Sequence, residues 1–143
     1  MTTNTKSIIF FGTGEISVAA LKTASELFEI EAVFTKPDSE HRGKTIMSPV
    51  KLWATKQGLS VLQPRSGDEL TKQLISGNFS SKMGVLVDYG IIVRQSAIDF
   101  FERGIVNSHF SLLPSLRGAD PITAAILEGL MYLALPLCSS LKN

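Results

Sequence analysis

Apolar residues along the chain fall in short blocks separated by polar turns. Ile8-Ile9-Phe10-Phe11 is an unbroken apolar run that stops at Gly12, the pattern of a strand buried on both faces. Gly12-Thr13-Gly14 reads as a turn, and Val18, Leu21, Ala24 and Phe28 follow at helical spacing. A second strand is predicted over residues 30–35, ending in the loop signal Lys36-Pro37-Asp38. Residues 36–48 are polar, carry His41-Arg42-Gly43-Lys44, and are expected to form a mobile surface loop. Ser48-Pro49 then predicts a helix start, with Ser as N-cap and Pro at the first helical position. Gln57-Gly58 predicts its end.

The remaining blocks repeat the alternation. Strands are predicted over residues 59–62, 83–87 and 105–110, and helices over 68–75, 96–102 and 121–127. Strands and helices in strict alternation predict an α/β, Rossmann-like fold: a parallel sheet of about five strands with helices on both faces. Ligands in such sheets sit beyond the carboxyl ends of the strands. The segments 12–17, 36–48, 88–95 and 110–120 are therefore where chemistry is expected.

Composition narrows the classes. A chain of 143 residues predicts one domain. With 44% apolar and 19% charged residues, it can build a core and is not disordered by composition. Fourteen Lys and Arg against thirteen Asp and Glu leave a net charge of +1, which excludes a strongly basic nucleic-acid binder but leaves a local basic patch open. The single cysteine, Cys138, excludes a disulfide framework and a Cys-based zinc site. Residues 1–6 form a polar arm with no apolar signal region, and the apolar run 130–138 is too short to span a bilayer. A cytoplasmic location without membrane contact is expected.

Two segments carry candidate chemistry. Gly12-x-Gly14-x-x-Ser17 imitates a dinucleotide fingerprint but lacks its third glycine. No acidic residue stands at the tip of the second strand, since Asp38 lies beyond a proline. The plainer reading is a tight strand-to-helix turn. The second segment is Asn107-Ser108-His109 near the end of the last predicted strand. Alternation puts Asn107 and His109 on one face. An amide and an imidazole placed together suit transfer through a tetrahedral intermediate, the amide binding the oxyanion and the His moving the proton. Two hydrogen-bonded strand-end residues would give the same pattern.

The longer context is more specific. Asn107-x-His109-x-Ser111-Leu112-Leu113-Pro114-x-x-Arg117-Gly118 resembles the signature of the folate-dependent formyltransferases. Phe10 to Val18, Phe34 to Asp38, Val61 to Pro64, Val87 to Ile92 and Gly118 to Ile122 resemble further segments of that family, in register over roughly residues 7–130. Gly14 departs from the Pro found in many members. Arg42-Gly43-Lys44 with Ser48-Pro49-Val50-Lys51 is similar to the branch that formylates initiator methionyl-tRNA. The sister enzymes for glycinamide ribonucleotide or amino sugars share the other motifs.

The resemblance implies roles for these positions. Asn107 and His109 would be catalytic. Leu86, Val87, Asp88, Tyr89, Gly90 and Ile91, with Ser111, Leu112, Leu113 and Pro114, would bind 10-formyltetrahydrofolate, the formyl donor. Arg42 and Lys44 would approach the tRNA, a role that suits cations on a surface loop following phosphates. It implies no metal and a monomer active in translation initiation.

The family's third catalytic residue, a later aspartate, has no counterpart here, because Asp88 and Asp120 do not occupy its motif position. Residues 131–143 do not continue the family pattern. Codons can be chosen for Leu133 to Cys138 that, in a neighbouring frame, encode Gly-Val-Thr-Ile-Met-Gln, the strand with which the family continues. The expectation is an incomplete formyltransferase domain with an out-of-frame tail. It would be inactive, or at most a remnant that binds folate weakly. Pro136 disfavours a central strand in that tail. It should leave an unpaired sheet edge, with the tail itself exposed.

Overall fold

The computed structural model describes residues 6–108 and 139–140. Strand β1 (Ser7–Gly12) leads into helix α1 (Glu15–Leu27), and β2 (Glu29–Phe34) follows. A two-stranded hairpin, β3 (Ser39–His41) and β4 (Lys44–Ile46), precedes α2 (Pro49–Lys56). Then come β5 (Val61–Leu62), α3 (Gly67–Ser76), β6 (Gly84–Val87), α4 (Gln95–Phe100), β7 (Ile105–Ser108) and β8 (Ser139–Ser140). The main sheet has the order β5-β2-β1-β6-β7-β8. Its first five strands are parallel, as the alternation of elements predicts.

The continuous apolar run of β1 is explained by two cores. Ile8 and Phe10 face one side with Val18 and Leu21 of α1 and Val50 and Ala54 of α2. Ile9 and Phe11 face the other with Leu70 and Leu74 of α3 and Ala97 and Ile98 of α4. Phe11 stacks on Phe34 at 5.1 Å and meets Tyr89 and Phe101 edge-on at 5.6 and 6.1 Å. Each buried ring contributes about 1.5–3 kcal/mol by burial, before its aromatic contacts are counted.

Local signals behave as expected at α2. Ser48 caps it, accepting the Lys51 amide at 3.0 Å, with Pro49 in the first turn. Gly58 follows with a φ of 72°.

Three expectations need correction. Residues 36–48 are not an irregular loop: 39–46 form an antiparallel hairpin with His41 paired to Lys44. Arg42 and Gly43, at φ 50° and 73°, make its two-residue turn, since a primed turn needs positive φ at both central positions. Helix α4 stops at Phe100 rather than 102, where Phe101 turns extended and its amide bonds the Ile98 carbonyl. The outer edge of β7 is not left open, because Ser140 and Ser139 pair antiparallel with Val106 and Asn107. The predicted helix 121–127, the loop 110–120 and the end of the predicted strand at 109–110 lie outside the described residues.

Candidate functional site

The carboxyl edge of the sheet gathers four connections, and polar ties link them across strands. The first is the β1–α1 turn. Ser17 is fully buried; its hydroxyl donates to the Val87 carbonyl at 2.6 Å and accepts the Thr13 amide at 3.1 Å. Thr13 Oγ1 in turn donates to the Tyr89 carbonyl at 2.8 Å. The turn after β1 is thus fastened to the exit of β6. Gly12 is obligatory there, because a Cβ would lie 2.7 Å from the Ser17 Cβ.

These contacts decide against a dinucleotide site. A Cβ on Gly14 would come within 2.6 Å of Asp88 Oδ2, so this carboxylate stands over the start of α1. That is where the fingerprint would seat a pyrophosphate, and a resident anion repels one. Ser17 replaces the third glycine with a hydroxyl that serves as a bracket.

The second connection is the segment 86–92. Leu86 and Ile91 are half-buried beside the core, whereas Asp88 and Gly90 are exposed. Their φ values of 47° and 76° turn the backbone sharply. Tyr89 points inward at 1% exposure, and its hydroxyl is buried with no hydrogen-bond partner among the described residues. Burial pushes its phenol pKa up. Apolar Leu86 and Ile91 thus stand beside the exposed residues Asp88 and Gly90. The Tyr89 carbonyl is already engaged by Thr13. The Lys36 side chain covers Gly90, where a Cβ would lie 2.7 Å from both Cε and Nζ. A cavity of about 330 Å³ opens beside this segment, lined by Arg65, Gly67, Ile91, Ile92 and Arg94 among others. Arg94 pairs with Asp68 there at 3.2 Å.

The third connection is the root of the hairpin. Asp38 accepts from Lys51 Nζ, and Gln63 Nε2 donates to Asp38 Oδ1 at 2.8 Å and to the Lys36 carbonyl at 2.9 Å. The bond from Lys51, and then that from Gln63, hold the Asp38 carboxyl below the usual carboxylate range. Below this, Thr35 Oγ1 and Ser48 Oγ share a buried hydrogen bond of 2.7 Å. All six strand residues of the hairpin are exposed.

The fourth is the end of β7. Asn107 pairs with Leu86 of β6 in the ladder, and alternation puts it on the face of the buried Ile105. Among the expected site residues, Asn107 and the 86–91 segment are therefore neighbours. Arg42 and Lys44 belong to a hairpin that leaves β2, three strands from β7 in the sheet order, or about 14 Å across the sheet at that level. His109, Ser111, Leu112, Leu113 and Pro114 lie outside the described residues.

The roles of Ser17, Lys36, Lys51 and Gln63 are not evident from local sequence. Ser17 left one trace, as the hydroxyl where a fingerprint needs glycine. Gln63 and Lys51 stand in segments that resemble the family, but their bonds to Asp38 have no local signal, since the partners stand 25 and 13 residues apart.

Known proteins resemble this chain in sequence and in fold. The family model described as formyl transferase matches residues 6–133. The methionyl-tRNA formyltransferase of Elusimicrobium minutum is 41% identical over 123 residues, covering 85% of this chain and 36% of that protein. That of Fusobacterium nucleatum is 40% identical over 124 residues, covering 85% and 40%. The chain thus spans about two-fifths of the length of these relatives. Among solved structures, the phosphoribosylglycinamide formyltransferase of Streptococcus pneumoniae aligns with a TM-score of 0.66 at 24% identity, covering 87% of this chain and 68% of that one. A formyltetrahydrofolate deformylase from Pseudomonas syringae aligns with the same score at 18% identity, covering 92% and 44%; these two likenesses concern the fold. Among the described residues no helix is long and apolar enough to cross a membrane. Matched over most of its length by the family model, the chain belongs to the formyl transferase family.

Proposed function

We propose that the chain carries the folate and catalytic residues of a methionyl-tRNA formyltransferase, which moves a formyl group from 10-formyltetrahydrofolate to the amine of initiator methionyl-tRNA. The observation that carries this reading is the register of Asn107 opposite Leu86. It makes an amide donor the neighbour of the proposed folate segment at the carboxyl edge.

In the reaction the unprotonated amine attacks the formyl carbon. A new C–N bond forms and the bond to the folate nitrogen breaks. The Asn107 amide donates to the oxyanion of the tetrahedral intermediate, and His109 carries the amine proton to the departing nitrogen. The 86–91 backbone holds the pterin, and Ser111 to Pro114 belong to the folate-binding loop. Arg42, at the turn of the hairpin, and Lys44 beside it contact tRNA phosphates. The likeness of 38–41% to relatives named for methionyl-tRNA supports this substrate over glycinamide ribonucleotide or an amino sugar.

The test is calorimetric titration of the chain with tetrahydrofolate, alongside formylation of methionyl-tRNA. Weak but saturable folate binding is expected, with little or no transfer to methionyl-tRNA. Whatever transfer is measured should fall about 10²–10³-fold in Asn107→Ala. Binding without transfer would leave a folate-binding module, and absence of both would overturn the assignment.

A further inference from the structure

The hairpin 39–46 projects from the molecule, and its six strand residues are all exposed. A side-chain bond within it, Thr45 Oγ1 to Glu40 Oε1 at 2.8 Å, does nothing to orient it against the sheet. Its orientation is set at its two roots. On the incoming side stands Asp38, one residue before β3. On the outgoing side stands Lys51, in the first turn of α2, five residues after β4.

Asp38 joins the two. One carboxylate oxygen takes Lys51 Nζ, and the other takes Gln63 Nε2. Gln63 stands just past β5, the edge strand, and also holds the Lys36 carbonyl. Lys51 and Asp38 are both about three-quarters covered, with 22% and 25% of their side chains exposed. A charge-assisted pair of that burial is less screened than a surface pair. A single carboxylate therefore ties hairpin root, helix start and sheet edge together. We propose that Asp38 is a positioning residue: through Lys51 and Gln63 it fixes the direction in which the hairpin presents Arg42 and Lys44. The consequence for substrate rests on the reading above that this hairpin meets tRNA.

The variants are Asp38→Asn, which removes the charge and keeps the size, Lys51→Met, and the two together. The Lys51 backbone amide donates to the Ser48 cap of α2, so Lys51→Met leaves that bond in place. Trypsin cleavage after Arg42 and Lys44 under native conditions, read by mass, reports the hairpin. The urea midpoint reports the whole domain. Each single variant should raise cleavage at these two sites by about 3- to 30-fold, the span of a partly exposed charge-assisted bond. The urea midpoint should move little, and the double variant should match the singles, because one tie is lost in each. Cleavage that is unchanged, that tracks the global midpoint, or that multiplies in the double variant overturns the positioning role. Binding of methionyl-tRNA is measured in parallel. A looser hairpin with weaker tRNA binding supports both statements. A looser hairpin with unaltered tRNA binding supports the tie and overturns the tRNA reading of the hairpin.

Discussion

Replacing Ser17 with Ala tests how the site edge is braced. The side chain is fully buried, donates to the Val87 carbonyl at 2.6 Å and accepts the Thr13 amide at 3.1 Å. Alanine keeps the Cβ that packs on Gly12 and favours the helix, so the change isolates the hydroxyl. Two neutral bonds are worth about 0.5–1.5 kcal/mol each, and leaving buried partners unmet pushes the loss toward the upper end, or about 2–3 kcal/mol. In urea, with a slope of about 2 kcal/mol per M for a domain of this size, the midpoint should fall by roughly 1 M at unchanged slope. Ser17→Gly supplies the glycine that the dinucleotide fingerprint wants there. It loses the same bonds and adds a helix penalty of about 1 kcal/mol, so it should be the less stable of the two. A midpoint for Ser17→Ala within about 0.2 M of the parent, below about 0.5 kcal/mol, would refute the bracket. So would Ser17→Gly matching or exceeding Ser17→Ala.

Two further outcomes follow from single groups. Tyr89→Phe removes a buried hydroxyl that has no partner among the described residues; thermal melts should show an unchanged or higher midpoint, reflecting a stability gain of up to about 1–3 kcal/mol, and clear destabilisation would reveal a bond partner for that hydroxyl. Glu31 sits at the opposite edge of the sheet. Burial raises its pKa, but bonds from the Ser81 and Ser80 hydroxyls and amides outweigh this and hold it below the usual glutamate value. A carboxylate with a depressed folded pKa stabilises above its unfolded pKa and loses that contribution as pH falls through the folded value. Stability measured by urea should therefore decline below the ordinary glutamate range, and Glu31→Gln should flatten that decline; an unchanged acid limb in the variant would contradict it.

Elements read correctly from sequence were those with local causes. The run Ile8 to Phe11 declares a strand buried on both faces because both cores demand apolar residues at every position. Ser48-Pro49 declares a helix start because the cap bond spans three residues. The hairpin was illegible because the usual signal for its turn is Asn-Gly or Asp-Gly. Arg42 takes the first central position at φ 50°, which a residue with a long side chain adopts at some cost. β8 was illegible for another reason. It is two residues long, and its pairing with β7 joins positions more than 30 residues apart, which no local pattern encodes. At the site, the segment 86–91 and Asn107 were legible as motifs. What brings them together is the β6–β7 register, a property of the sheet.

The polar ties follow a rule that the apolar cores make necessary. Each core fixes the strands, yet the connections at the carboxyl edge lie beyond the last core side chain and carry unmet backbone groups. Ser17 and Thr13 fasten the turn after β1 to the carbonyls after β6. Gln63, just past β5, fastens the carbonyl of Lys36 after β2. In both cases a side chain after one strand meets the backbone after another, so a connection cannot move without its partner. Tyr89 extends the link inward: its carbonyl is held by Thr13, while its ring packs on Phe11 in the core. A residue anchored at both ends leaves the 86–91 backbone little freedom to adjust to a ligand. For the formyl transfer proposed above, such rigidity would set the productive geometry before the substrate arrives.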